Sequence, residues 1–444
     1  MNMETDVDIL IRGGTLLTMS EAMEIVHDPV IGIRGGKILF IDRPDHSTAP
    51  IRAKETLDAS HSIIMPGLVN THTHLPMAFF RGLADDLPLM DWLNNYIFPA
   101  EAKHVNREMV YTGSLLAIAE MILSGTTTFC DGYFYESSVA QAAIDAGMRA
   151  VTAQGFIDPP VGDSDTLSEN IRLAERFIDK WSGKSALVTP ALFCHSPYTC
   201  SPDTLKEIKR VSRGAKVPYI IHLAETRDEV RIIRERYGVS PVTHLEKTGV
   251  LDDATVAVHC VWMEGKEVEI LATRGVKVSH NPESNMKLAS GVAPVPDMLG
   301  KGITVGLGTD GSASNNNLDL LTEMDTAAKI HKVFRRDPTV MDARTVLKMA
   351  TIGGAKVLNL ADRIGSVEAG KCADIILIDT QKPHLTPLYN CYSQLVYAAN
   401  GADVSTVIIN GKVILKERRF PGLDIEDILS RARKIAGQIG KTDR

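Results

Sequence analysis

The sequence predicts an α/β protein: a closed (β/α)8 barrel over residues 62–363, with a small β-sandwich domain built jointly by residues 1–61 and 364–444. Three observations carry this. Eight short apolar runs alternate with helix-like segments through the middle of the chain. Five of those runs have histidine at or near their C-terminal end. The two chain ends share a β-branched texture punctuated by Gly-Gly or Asn-Gly, which marks tight turns between strands.

At the start, Asp8-Ile-Leu-Ile-Arg12 and Val30-Ile-Gly-Ile-Arg34 run into Gly13-Gly14 and Gly35-Gly36 and then resume as apolar stretches. At the finish, Ala373–Asp379 and Val407–Leu415 repeat the pattern, with Asn410-Gly411 the strongest hairpin signal. Neither end is long enough for a good core alone, so the two are expected to pair. Between them the predicted barrel strands are Gly67–His72, Thr126–Asp131, Ala150–Gly155, Leu187–His195, Val217–His222, Thr255–His259, Val276–His280 and Ile303–Asp310. Helix signals fill the gaps. Asn106 caps a helix running to Ser124, Ser201-Pro202 opens another, and Thr226 opens one ending near Gly238. Repeated β-then-α units imply a parallel sheet. A doubly wound open sheet would place a glycine-rich phosphate loop after its first strand; this chain has Thr71-His-Thr-His74 there.

Composition removes several classes of function. The 444 residues carry 48 Lys+Arg against 55 Asp+Glu, a net charge of −7, with 44% hydrophobic residues. No apolar run approaches the roughly 18 residues of a membrane span. The acidic start, Met1-Asn-Met-Glu4, does not read as a signal or transit peptide. The absence of a basic block argues against a nucleic-acid polymer as partner. Six scattered cysteines without CxxC pairs suggest neither a disulfide framework nor a thiolate zinc site, and a cytoplasmic setting is expected.

In a parallel barrel all strand C-termini lie on one face, where active sites are built. His72 and His74, two apart on a strand end, can point the same way and suit a zinc site. His222 could be a satisfied core histidine, but in His222-Leu-Ala-Glu225 it is followed by a carboxylate placed to act as general acid and base. Asp310, in Gly308-Thr-Asp-Gly311, is placed to bind metal and accept a proton from its water. His259 could be a ligand, a supporting partner or a core residue; a role beside the attacking water fits its position. His195 reads as a substrate contact or loop anchor, and His280 as an organiser of its loop. His27, His46, His61, His104, His244, His331 and His384 read as surface or packing residues. The fourth strand end, Leu192-Phe-Cys-His195, lacks the lysine that could bridge two metals, so one ion is expected.

Together Met65-Pro-Gly-Leu-Val-Asn-Thr-His-Thr-His74, His222-Leu-Ala-Glu225, Val258-His-Cys260, Gly308-Thr-Asp-Gly311 and Gly370-Lys-Cys-Ala-Asp374 resemble the amidohydrolase superfamily across nearly the whole chain. Within it, Ser124–Phe129, His195–Cys200 and Ser279–Gly291 look most like the S-adenosylhomocysteine and 5′-methylthioadenosine deaminases. The resemblance implies one divalent ion, zinc or alternatively Fe2+, held by His72, His74, His222 and Asp310. Glu225 would be the acid/base and also a substrate contact, with His259 the support of the attacking water. Glu101 would bind a ribose, with Trp92 lining the pocket and His195 touching substrate. It further implies a homo-oligomer acting on an adenosine-type nucleoside. Relatives can carry two arginines that hold the homocysteine carboxylate; the aligned positions here are Gln154 and Thr166, which leaves 5′-methylthioadenosine, 5′-deoxyadenosine and adenosine as open as S-adenosylhomocysteine. A triazine-type chloro- or aminohydrolase is the alternative enzyme, a cyclic-amide hydrolase a weaker one. A non-catalytic metal-stabilised binding protein is the alternative of another class.

Overall fold

The computed structural model describes residues 5–42, 50–162 and 165–442; the acidic start and His46 lie outside them. Eight strands form one continuous sheet in sequence order: β1 (Leu68–Thr73), β2 (Thr126–Tyr133), β3 (Arg149–Phe156), β4 (Val188–Cys194), β5 (Tyr219–Leu223), β6 (Thr255–His259), β7 (Lys277–His280) and β8 (Val305–Leu307). Every neighbouring pair is parallel. One face of the strands, including Val151, Ala191, Phe193, Ile220 and Val258, forms its own apolar cluster. The other face, including Phe129, Leu192, Tyr219, Ile221 and Ala257, joins the larger cluster shared with the surrounding helices. This inside–outside division is the expected α/β barrel.

The seam between β8 and β1 is closed by individual bonds. Thr71 Oγ1 donates to the Leu307 carbonyl at 2.9 Å, and Asp310 N donates to the His72 carbonyl at 3.0 Å. Asn70 bridges to Thr309 through its Nδ2 (2.8 Å to Oγ1) and its Oδ1 (3.1 Å from the Thr309 N–H). The last ladder is therefore shorter than the Ile303–Asp310 run predicted, because Gly308–Asp310 leaves the strand direction to knit the seam. That departure sets Asp310 beside His72.

The predicted helix starts form for the reasons read in the sequence. Asn106 Oδ1 accepts the Glu108 and Met109 N–H groups (3.0 and 3.1 Å) at the head of the helix Arg107–Leu123. Ser201 caps Pro202–Ala215, and Thr226 caps Arg227–Tyr237, which stops at left-handed Gly238.

The chain ends form two sheets. Thr5–Arg12, Val30–Arg34, Lys37–Asp42 and Ile51–Asp58 make a four-stranded sheet entirely from the N-terminal end. The six-stranded sheet mixes both ends, in the order Lys412–Leu415, Val404–Ile409, Ile375–Asp379, Ser62–Pro66, Thr15–Leu17, Ile25–His27. Gly35-Gly36 and Asn410-Gly411 are two-residue hairpin turns, all four residues at positive φ. Gly13-Gly14 instead carries the chain from one sheet to the other; a Cβ on Gly14 would sit 2.3 Å from the Ala59 carbonyl oxygen. Ser62–Pro66, inside the span read as barrel, pairs with Ile375–Asp379 in the flanking sheet. The C-terminal helix Ile425–Thr442 packs on the barrel helix Arg107–Leu123.

A buried ion pair fastens the flanking sheets to the barrel. Arg149, at the start of β3, donates to both carboxylate oxygens of Asp374 (2.7 and 3.0 Å) and to the Ala186 carbonyl (2.6 Å). Arg149→Met should therefore destabilise the protein by about 3–5 kcal/mol, because it leaves Asp374 buried without its partner. Denaturant unfolding measures this, and adding Asp374→Leu should recover part of the loss.

Candidate active site

The histidines of the strand ends converge at the mouth of the barrel. His72 Nε2 lies 3.1 Å from His222 Nε2 and 3.5 Å from Asp310 Oδ1, while His74 Nε2 lies 3.4 Å from the same Asp310 oxygen. Donor atoms about 2.0–2.1 Å from a tetrahedral ion stand roughly 3.3 Å from one another, so these separations match a coordination sphere. Protonation fits as well. The His74 Nδ1–H donates to the Gly132 carbonyl at 2.7 Å, which leaves Nε2 as a lone pair aimed at Asp310. Burial drives the His72 pKa down to about 4 and that of His222 well below its usual value, keeping both rings neutral. The donor set of neutral imidazoles and one carboxylate thus suits a divalent ion. A nitrogen of His259 lies within 4.8 Å of nitrogens of His72 and His222 as well.

Each of these groups is held from behind. Asp310 Oδ2 accepts from Ser284 Oγ (2.6 Å) and Ser314 Oγ (3.0 Å), and Oδ1 accepts the Gly311 N–H at 2.8 Å. Burial alone would raise its carboxyl, but the imidazoles of His72, His259 and His74 outweigh that and hold it well below the usual carboxylate range. His259 Nδ1 bonds Asn285 Oδ1 at 2.9 Å, and its Nε2 faces Glu225 Oε2 at 3.9 Å. Glu225 is nearly buried, and burial pushes its carboxyl upward, as a proton donor requires. Ala224, His259, Cys260 and Asp310 all have left-handed backbones, with φ of 52°, 73°, 48° and 60°. Such conformations are costly for non-glycine residues and concentrate at functional turns.

One cavity brings the set together. It is lined by His74, His195, His222, Glu225, His259 and Asp310 on the strand-end side, and by Trp92, Leu93, Ile97, Phe98 and Glu101 from the segment after β1. Glu101 Oε1 accepts from the Tyr133 hydroxyl at 2.5 Å; burial pushes its carboxyl up to about 7 against that bond. Trp92 is buried in the wall. His195 bonds Thr199 Oγ1 at 2.9 Å and stands edge-on to His222 with ring centroids 5.1 Å apart; burial takes its pKa down to about 3.

His280 does not reach the cavity. It is buried with its Nε2 3.1 Å from His331 Nε2, beneath a loop whose Asn281, Ser284 and Asn285 support His259 and Asp310. His331 is thus a buried partner of that loop. Gln154 is buried facing away from the cavity, with Nε2 3.4 Å from Asn170 Oδ1, and Thr166 caps the helix Leu167–Trp181. Neither touches the pocket. Ser284, Ser314, Asn285 and Tyr133 were not singled out from the sequence. Ser284 and Asn285 lie in the Ser279–Gly291 string and Ser314 lies just beyond Gly308–Gly311, but a hydroxyl or amide has no spacing signature of its own.

Comparison with known proteins gives a consistent picture. Residues 63–414 match the model of the Amidohydrolase family. The chain is 47% identical over 432 residues to a 5-methylthioadenosine/S-adenosylhomocysteine deaminase of Syntrophobacter fumaroxidans, covering 97% of this chain and 98% of that one. It is 45% identical to a 5′-deoxyadenosine deaminase of Methanothermobacter thermautotrophicus, covering 92% and 96%. Its structure superposes on a zinc-bound adenosine deaminase from Xanthomonas campestris with a TM-score of 0.96 at 35% identity, covering 99% and 100%. An atrazine chlorohydrolase from Arthrobacter aurescens, at 24% identity and TM-score 0.89, shares the fold.

Proposed function

This chain belongs to the amidohydrolase family, and we propose that it is a hydrolytic deaminase of adenosine-type nucleosides, releasing ammonia and leaving the inosine analogue. The observation that carries this is the shared cavity, where Glu225, His259 and Asp310 face the His72–His74–His222 cluster and Glu101 stands in the same wall. When bound by His72, His74, His222 and Asp310, a single divalent ion, which we assign as zinc with Fe2+ as the alternative, supplies an acidified water near neutral pH. Asp310 would accept a proton from the water that adds to the purine carbon bearing the amino group. Glu225 gives a proton to the adjacent ring nitrogen, so that negative charge does not accumulate on the ring. His259 would hydrogen-bond the attacking oxygen; Asp310 then passes its proton to the amino nitrogen, the C–N bond breaks to release ammonia, and the Glu225 carboxylate takes the hydroxyl proton to leave the inosine analogue.

Glu101, held by Tyr133, is the group we assign to the ribose hydroxyls. A hydrogen bond to a charged group is worth about 1.5–3 kcal/mol, so Glu101→Ala should raise KM for nucleosides by roughly 10–100-fold. Steady-state kinetics checks it; an unchanged KM would assign the ribose elsewhere. A triazine-type hydrolase would have no use for this pair.

The cavity wall also sets an order among substrates. Among its described lining residues there is no Lys or Arg; Phe134, Phe156, Ile157 and Val161 make that wall apolar near the segment after β3. Residues 157–166 carry three aspartates and no basic residue. A carboxylate entering here finds no Lys or Arg among the described lining residues, and an unpaired charge is costly to remove from water. Ammonia release from a panel of nucleosides should therefore give kcat/KM for 5′-methylthioadenosine and 5′-deoxyadenosine about tenfold or more above S-adenosylhomocysteine. Silence across the panel would overturn the nucleoside reading. We place the enzyme in the cytoplasm, a setting that six free cysteines support; among the described residues no helix is long and apolar enough to cross a membrane.

A further inference from the structure

We propose that Glu229 is a positioning residue of the reaction, clamping the strained turn that presents Glu225; this rests on Glu225 being the acid/base group. Thr226-Arg-Asp-Glu229 has the S/T-x-x-E pattern of a helix capping box, in which the glutamate reaches back to the N-cap N–H. Thr226 does cap the helix, its Oγ1 accepting the Glu229 N–H at 3.2 Å. The Glu229 carboxylate, however, passes the cap. Oε1 accepts the Ala224 N–H at 2.8 Å and Oε2 accepts the Glu225 N–H at 3.0 Å.

Those two amides belong to the turn where Ala224 is left-handed at φ 52°. The carbonyl side of the same peptide is held as tightly. Ala224 O accepts the Val261 and Trp262 N–H groups (3.0 and 2.8 Å), and Leu223 O accepts that of Cys260 at 2.9 Å. The turn after β5, carrying Glu225, is thereby interlocked with the Cys260–Trp262 turn that follows His259 at the end of β6. Glu229 is the side chain that closes this arrangement from outside the cavity. It is 1% exposed, and it does not line the pocket. A carboxylate removed from water needs a donor for each oxygen, and here the Ala224 and Glu225 N–H groups supply them. Glutamine is nearly isosteric but can offer one oxygen only; its NH2 must oppose the second backbone N–H.

The test uses the metal-loaded full-length enzyme. Glu229→Gln should lower kcat by roughly 10–100-fold, the usual effect of losing a group that orients a catalytic one, with KM for 5′-methylthioadenosine and metal content unchanged. Amide hydrogen exchange should quicken at Ala224 and Glu225 in particular. Added to Glu225→Gln, the substitution should cost nothing further, because Glu229 acts only through Glu225. A folded Glu229→Gln enzyme with wild-type kcat overturns the proposal, as does an undiminished loss in the Glu225→Gln background. Should the glutamine variant fail to fold, the wild-type exchange experiment decides: Ala224 and Glu225 amides as protected as those of β5 support the clamp, and free exchange refutes it. A fully active Glu225→Gln enzyme overturns the acid–base reading itself and the positioning role with it. An inactive Glu225→Gln beside a fully active Glu229→Gln removes the positioning role alone.

Discussion

Glu225→Gln should lower kcat by about 10²–10⁴-fold, the range that a positioned general acid or base contributes. The substitution keeps the shape and the hydrogen-bonding reach of the side chain but removes its proton. Metal content and thermal midpoint should stay near wild type, because Glu225 is not one of the proposed ligands; its Oε2 approaches His259 Nε2 at 3.9 Å. The effect should fall on kcat with KM nearly unchanged, since the proton is needed only as attack begins. The upward push on the Glu225 carboxyl agrees in direction with a donor role, because burial favours the protonated form that must be present before attack. Full turnover by a metal-loaded Glu225→Gln protein would sink the assignment.

Removing the metal should have an effect at least as large. Exhaustive chelation should abolish measurable deamination, and stoichiometric zinc should restore it; a parallel titration with Fe2+ under anaerobic conditions separates the two ions. Stability should follow activity. His72 Nε2 stands 3.1 Å from His222 Nε2 and 3.5 Å from Asp310 Oδ1, and His74 Nε2 3.4 Å from that same oxygen, the set that a bound ion would tie together. An ion bound a hundredfold above its dissociation constant stabilises the folded state by about 2.7 kcal/mol, so the thermal midpoint should fall on chelation and recover with zinc. Asp310→Asn should reproduce both losses, since it weakens a ligand and deletes the proton acceptor together. Persistent turnover by protein carrying less than a tenth of an equivalent of metal would refute the metal-dependent mechanism.

Much of the molecule was legible because its signals are local. Helix starts depend on a side chain reaching an N–H two or three residues ahead, so Asn106, Ser201 and Thr226 could be read directly. Two of the three glycine-containing turns formed the hairpins expected. Gly13-Gly14 did not, because a crossover between sheets demands the same positive φ and close approach as a hairpin; the local requirement is identical and the destination differs. Strand parity limited the reading in another way. At the end of β3 the cavity is lined by Gly155 and Phe156, while Gln154 turns to the opposite face from Gly155; neighbours within a strand point apart, and a position aligned to within one residue cannot say which side it serves.

The sequence by itself determined the repeat of strand and helix, and therefore the single rim on which the strand-end histidines gather; periodicity and chain direction suffice for that. Tertiary structure decided everything that depends on which distant groups meet. It took Gly308–Asp310 out of the last strand to close the barrel and set Asp310 against His72. It brought Tyr133 to Glu101, and Ser284 to Asp310. It also locked the turn after β5 to the turn after β6 through the Leu223 and Ala224 carbonyls. Hydrogen bonds and ion pairs between remote residues form only when packing has already fixed both partners, so no spacing along the chain encodes them.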